Sequence, residues 1–489
     1  MDHNGHIALS SASGRWVVLT TVLGSGMALL DGTVVNVALP RLGRDLGADM
    51  AGLQWTVNAY TLTLAGLILL GGSLGDRYGR RRVFLIGVAW FAAASALCGL
   101  ARNIEVLVAA RALQGVGGAL LTPGSLAIIQ ASFARADRPR AVGAWSGFGG
   151  VAAAVGPLLG GWLVGSVGWR WVFWINVPIA ALVIATAVRH VPETRDASAA
   201  GRFDVLGAVV AALALAALTY GLIETGRGLI AVAAGLALMA AFAALEVRRS
   251  REGGRVGALV PVQVFRSRVF TSVNVVTLIM YAAMGVVFFL LVLQLQVSAG
   301  FSPIAAGSSM LPVTLLMLLL SAPAGELAKR IGPRLPMTVG ILLAAAGFVV
   351  MSRIGPGSSY LADVLPGVVL FGLGIACAVA PLTATVLAAV EDRHAGVASG
   401  VNNAVARSGG LLAVAAVPPL VGLTGAAYAS ASGFTAGFHQ AMLICAVMMA
   451  IAALIAFLAI RGDVLGEPEP ERHLHCDVDA PPLEHRDTA

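Results

Sequence analysis

Gly72-Ser-Leu-Gly-Asp76-Arg77-Tyr-Gly79-Arg80-Arg81-Arg82 is a short basic turn wedged between two long apolar runs. A looser copy, Gly325-Glu-Leu-Ala-Lys329-Arg330-Ile-Gly332-Pro-Arg334, follows at an offset of 253 residues. The offset superimposes Leu74 on Leu327, Gly79 on Gly332 and Arg81 on Arg334. Further along it also places Arg140 on Arg393, Gly147 on Gly400 and Gly156 on Gly409. One register serving two distant stretches marks two related halves.

The apolar runs around these turns set the class. Of 489 residues, 58% are hydrophobic and 12% charged, and the mean hydropathy is +0.86. Soluble domains carry about twice that charged fraction. Runs of about 20 apolar residues, each long enough to span a bilayer as a helix, follow one another almost without pause. The expectation is an all-α polytopic membrane protein with fourteen spans. The basic turn joins spans 2 and 3 and its copy joins spans 10 and 11. The shift is therefore eight helices, and an inserted pair separates two six-helix repeats. The resulting division is 1–15 as an N-terminal tail, 16–188 as the first bundle and 189–268 as the inserted pair with its loops. The second bundle is 269–460, and 461–489 is a disordered tail rich in Pro, Glu, Asp and His.

Charge gives the direction. Of the arginines and the single lysine, 24 fall in the tails and in loops on the N-terminal side, and 6 in the opposite loops. Basic loops stay inside, so both termini are expected in the cytoplasm. Trp55, Trp169, Trp171 and Trp174 are then expected at outer helix ends, in the headgroup layer. The run from Trp16 to Pro40 is too long for a signal-peptide core and reads as a retained first helix.

The same features exclude several functions. The net charge of +7 is spread over short loops, which argues against nucleic acid as a partner. Lys329 is followed by Arg330, so no Walker A loop exists. Cys98, Cys377, Cys445 and Cys476 show neither metal spacing nor a disulfide framework. The His473-Leu-His475-Cys476 cluster reads as a tail feature rather than a metal site. There is no zinc-protease motif, no paired carboxylates within a span and no signalling domain, so neither an enzyme nor a sensor is expected.

Charges inside a bilayer are costly and usually functional, which singles out Asp31, Arg111 and Arg407. Asp31 lies nine residues before the outer end of span 1, and Arg111 five residues past the outer start of span 4, at comparable depth. The offset sets Met284 opposite Asp31, so the acid belongs to one half only. Asp31 reads either as a proton-titrated carboxylate or as a fixed ion pair, and Arg111 with Gln114 as a coupling group or a hydrogen-bonding hub. Arg407, with Asn402 and Asn403 about a turn away, is expected to line a substrate cavity together with Asn36. Glu224 reads as a solvated turn acid. Span 5 carries the ordered cluster Gly147, Gly149, Gly150, Gly156, Pro157, Gly160 and Gly161, suited to close helix approach and a kink. Asp76 would pair with a neighbouring arginine or cap a helix of the other half, latching the cytoplasmic side.

Together these motifs resemble the major facilitator superfamily, and within it the fourteen-helix drug/proton antiporter family. Gly72, Asp76, Arg77, Gly79 and Arg80 match its loop 2–3 signature and imply a cytoplasmic gate. Arg111-Ala-Leu-Gln114-Gly-Val-Gly117 is similar to the span 4 motif tied to proton coupling. Gly147 through Gly161 resembles the span 5 motif of antiporters, and Leu30-Asp31-Gly-Thr33-Val-Val-Asn36 the span 1 motif whose acid is implicated in coupling. The resemblance implies a multidrug-efflux type of exporter, a monomer in the bacterial inner membrane. It would expel hydrophobic or amphiphilic small molecules by alternating access, with protons as the coupling ion and no cofactor beyond the proton gradient. The second-half turn departs from the pattern, with Lys329 where the first has Asp76. Few acids lie mid-span, which argues against polycationic cargo. A lipid or metabolite translocator on the same scaffold is the alternative.

Overall fold

The computed structural model describes residues 7–134, 137–195, 204–224, 228–252, 260, 262–391, 395–424 and 430–465. The tail cluster His473–Cys476 lies outside them, as do residues 1–6 and 196–203. The described chain is helical apart from a single bridge between Ile7 and Phe133.

The first half comprises α1 (Ala12–Leu46), α2 (Met50–Tyr78), α3 (Arg80–Leu100), α4 (Ile104–Ser132), α5 (Arg138–Ser166), the short α6 (Trp171–Trp174) and α7 (Asn176–His190). The inserted pair is α8 (Val205–Ile223) and α9 (Gly228–Glu252). The second half runs through α10 (Arg268–Val297), α11 (Pro303–Ser308), α12 (Leu311–Ile331), α13 (Arg334–Met351), α14 (Leu365–Ala388), α15 (Ala395–Leu420) and α16 (Ala431–Ala459). Side chains just ahead of several helices accept from their first-turn amides. Examples are Asp49 from Gly52, Asn103 from Val106 and Ser267 from Phe270.

Among the described residues, twelve helical stretches are long and apolar enough to cross a bilayer, with α6–α7 and α11–α12 each counting as one. A thirteenth is α2, bent by 49° near Leu70. The remaining expected span, α15, has the length, but Asn402, Asn403 and Arg407 make it too polar to qualify on composition. Of the fourteen expected spans, up to thirteen are thus found among the described residues.

Within each bundle the packing repeats. In the first, α4 packs on α2 and α3, and in the second, α14 packs on α12 and α13. The two basic turns share a backbone conformation: Gly79 has φ +113° and its counterpart Gly332 has φ +84°. Both values lie where a Cβ is disfavoured. A Cβ on Gly79 would also stand 2.6 Å from Glu193 Oε1. The Glu193 carboxylate accepts from the Arg81 and Arg82 amides and so caps α3.

Asp204 holds the inserted hairpin together. It caps α8 through the Gly207 amide and forms an ion pair with Arg249 of α9. It is α8 that packs on the bundles, lying against α2 and α15 and therefore against both halves. Glu224 is not a solvated turn acid. It accepts from the Trp55 indole at 3.0 Å and ties the end of α8 to α2. In contrast, α9 shows exposed Leu229, Ile230 and Leu236, as suits a lipid-facing helix.

One headgroup-layer expectation fails. Trp169 is 1% exposed and donates to Asp45 at 3.1 Å, with the Arg170 guanidinium over its ring. The α5–α6 corner folds it into the core, where its indole N–H finds an acceptor. Trp171 remains exposed.

Candidate functional site

Asp31, on α1, is fully buried, as are Arg111 and Gln114 on α4. The structure brings all three together. Arg111 donates to Asp31 Oδ2 at 2.5 Å and to Gln114 Oε1 at 2.7 Å, and Gln114 donates to Asp31 Oδ1 at 2.9 Å. Asn176, from α7, also donates to Asp31 Oδ1 at 3.1 Å, and to Ser95 of α3 at 3.0 Å. Ser95 in turn donates to the Phe173 carbonyl. The Arg111 guanidinium reaches the Thr56 carbonyl through Nε at 3.0 Å and lies 4.3 Å from the centre of the Tyr60 ring. Donors from α4 and α7 thus meet the α1 carboxylate, and α2 and α3 hold those donors in place. A buried ion pair is tolerated when hydrogen bonds satisfy its remaining atoms, and removing one partner typically costs about 3–5 kcal/mol.

Asn176, Ser95, Thr56 and Tyr60 did not stand out in the sequence. Asn176 carried a usable signal, a carboxamide within an apolar span. The serine and the Thr56 carbonyl gave none, because a hydroxyl or a backbone oxygen passes unnoticed in any helix.

Arg111 lines one wall of a cavity of about 880 Å³ between the two halves. The cavity runs from Gly32 and Tyr60 down to Gly72 and Asp76 on α2, Gln130 on α4 and Gly396 on α15. It is therefore open at the end that carries the Asp76 turn. The opposite end is closed by contacts between the halves. Gln54 of α2 donates to the Val414 and Ala415 carbonyls of α15 at 2.6 and 2.9 Å, and Gln296 of α10 donates to Val37 of α1 at 3.0 Å.

The α5 glycines belong to that closed end. A Cβ on Gly160 would meet Val34 of α1 at 2.9 Å, and one on Gly161 would meet Ile304 of α11 at 2.6 Å. Gly156 faces Thr33, and the Pro157 carbonyl faces Gly307 of α11. Nearer the Asp76 end the helices part, and nothing lies within 4 Å of a Cβ on Gly147 or Gly150. There α5 and α12 frame a second, mostly apolar recess of about 690 Å³, lined in part by Asn36, Gly147, Pro157 and Leu318.

The other singled-out residues divide. Arg407 and Asn403 line the central cavity. Asn402 turns to α10, donating to Asn274 Oδ1 and Thr277 Oγ1, and borders a smaller side recess. Asn36 faces the α5–α12 recess rather than the central cavity, and no partner meets its buried Oδ1. Asp76 pairs with Arg80 on its own segment at 2.7 Å and, among the described residues, caps no helix of the second half. Arg77 lies against the Tyr78 ring. In the copied turn the Asp76 position is taken by Lys329, which pairs with Glu326, as Arg330 does. Among the described residues, no three His, Cys, Asp or Glu side chains gather as a metal site.

Two bundles enclosing a cavity closed at one end are the architecture of a transporter, and the family model described as Major Facilitator Superfamily matches residues 21–414. The chain belongs to the major facilitator superfamily. It is a multi-pass membrane transporter of bacterial type and not an enzyme. It is similar to a probable actinorhodin transporter of Streptomyces coelicolor, 36% identical, with 83% of this chain and 72% of that one covered. A tetracenomycin C resistance and export protein of Streptomyces glaucescens is also 36% identical, over 85% of this chain and 78% of its own. A crystal structure of a bacterial homologue of the lysosomal transporter Spinster shares the fold. Its TM-score is 0.64 at 18% identity, covering 92% of this chain and 97% of that one.

Proposed function

We propose that this transporter is a proton-coupled exporter of hydrophobic or amphiphilic small molecules. The observation that carries the reading is the Asp31–Arg111 pair at the wall of a cavity that reaches the Asp76 end, with the halves joined at the other end. Relatives named for export and resistance support the direction of transport. The excess of basic residues at the Asp76 end supports a cytoplasmic position for that end and for both termini, in a bacterial inner membrane. The conformation is then inward-open, ready to accept cargo.

The coupling follows from charge. In this state the carboxylate neutralises Arg111, and both are shielded from solvent. When the halves rock so that the opposite end opens, a proton from outside reaches Asp31. Arg111 loses its counter-charge but keeps the Thr56 carbonyl, Gln114 Oε1 and the Tyr60 ring as neutral partners. Arg111 also lines the cavity, so its release from Asp31 changes the surface that the cargo touches. Return to the inward-open state re-forms the pair and expels the proton inward. Proton entry and cargo exit thereby alternate at adjoining groups.

The test is proton flux in proteoliposomes under an imposed pH gradient, with lipophilic anions, cations and neutral amphiphiles added in turn. Cargo-triggered flux in the wild type that disappears in Asp31→Asn, at equal levels of folded protein, is expected. Uphill efflux that persists in Asp31→Asn, or after the pH gradient and the membrane potential are both collapsed, would overturn the coupling and favour an uncoupled lipid or metabolite translocator.

A further inference from the structure

The central cavity contains a charge that nothing among the described residues balances. Among the described residues, three charged side chains line it, Asp76, Arg111 and Arg407, and Asp31 stands behind Arg111. Asp31 and Arg111 neutralise each other, and Asp76 at the mouth is paired with Arg80. Arg407 projects from the middle of α15 into the same cavity, half-buried, and makes no hydrogen bond or ion pair among the described residues. It also borders the side recess formed by Tyr281, Asn402 and Asn403, none of which is acidic. At the offset of 253 residues its counterpart in the first half is alanine, at position 154, so the cation is not a relic of the repeat.

A guanidinium withdrawn from bulk water without a counter-ion is costly, and the cost is relieved by an anion that supplies acceptors to its fork of donors. Most of the remaining wall is apolar or weakly polar, including Leu29, Val57, Leu64, Ile68 and Tyr60. The volume of about 880 Å³ suits one drug-sized molecule. We propose that Arg407 is an anion subsite, and that the cargo is an amphiphile with an apolar body and one acidic group, such as a carboxylate, sulfonate or ionised phenol. This rests on the exporter reading and specifies the chemical class exported. A cationic cargo would meet Arg407 with no acid available except the one already held by Arg111 and the one at the mouth.

The test uses three fluorescent probes that share one apolar body: pyrenebutyrate, pyrenebutanol and pyrenebutylammonium. Each is titrated against the full chain in phosphatidylcholine nanodiscs, with empty nanodiscs subtracted. Pyrenebutyrate is expected to bind at least about tenfold more tightly than the other two, the scale of one charge-assisted hydrogen bond. Arg407→Gln should bring carboxylate and alcohol to within about twofold of each other, whereas Arg407→Lys should keep most of the preference. Arg353→Gln, on an exposed turn at the closed end, should leave all three affinities unchanged. Equal or tighter binding of the ammonium probe would overturn the proposal, as would a carboxylate preference that survives Arg407→Gln. Export of pyrenebutanol with no carboxylate preference would overturn the subsite and leave the exporter reading intact. Selective carboxylate binding without export of any probe would support the subsite and count against the exporter reading.

Discussion

At the scale of single residues, Asn176 and Gly79 offer sharp tests. Asn176 is the third donor on Asp31, so Asn176→Ala should lower stability by about 1–3 kcal/mol. Asn176→Asp should be worse, because a second carboxylate would then stand about 3 Å from the first. Thermal unfolding of the purified protein ranks the two. Gly79→Ala meets both an unfavourable φ and the Glu193 carboxylate, and should cost about 1–3 kcal/mol. Gly72→Ala places its Cβ 3.5 Å from Pro123 and should be tolerated. The same unfolding measurement separates the two glycines of one motif. The residues differ in how far the sequence announces them. Asp31, Arg111, Gln114 and Arg407 stand out because a charge or carboxamide in an apolar run is costly and needs a reason. Glu193 does not, because its role depends on the chain returning from α7 to the start of α3, a three-dimensional closure that no local pattern encodes. Trp169 misleads for a related reason: a tryptophan at a span end looks like a headgroup anchor until the α5–α6 corner turns it inward.

At the scale of elements, α5 serves two neighbours with one run of small residues. Its upper glycines admit α1 and α11 to backbone contact, whereas Gly147 and Gly150 face open space. Gly161→Val should therefore prevent the far end from closing, and Gly150→Val should not. Spin labels at Ser166 and Phe301, read by double electron–electron resonance, should report a longer distance in the first variant and an unchanged one in the second. The glycine cluster itself was legible as a close-packing helix. Its partners were not, because the spacing of small residues tells which face is thin and not which helix comes to it. The basic turns carried more, since their shared register already implied the matching glycine conformations at Gly79 and Gly332.

At the scale of the molecule, the inserted hairpin changes what must move. Because α8 lies on both α2 and α15, rocking the halves also requires α8 to slide on at least one of them. Trp55→Phe removes the indole donor to Glu224, and should change the rate of cargo turnover more than the affinity for cargo. Stopped-flow efflux beside equilibrium binding checks this. The even count of helices and the eight-helix shift made the hairpin visible in the sequence, but nothing there showed which seam it covers. The lone guanidinium on α15 has an electrical consequence as well. An exporter that exchanges one outgoing monoanion for one incoming proton moves two positive charges inward per cycle, where neutral cargo moves one and a monovalent cation none. A membrane potential of 100 mV, negative inside, then contributes about 4.6 kcal/mol to each cycle, from about 2.3 kcal/mol per charge. A cell holding its voltage but with no pH difference across its membrane would still drive such an exchange.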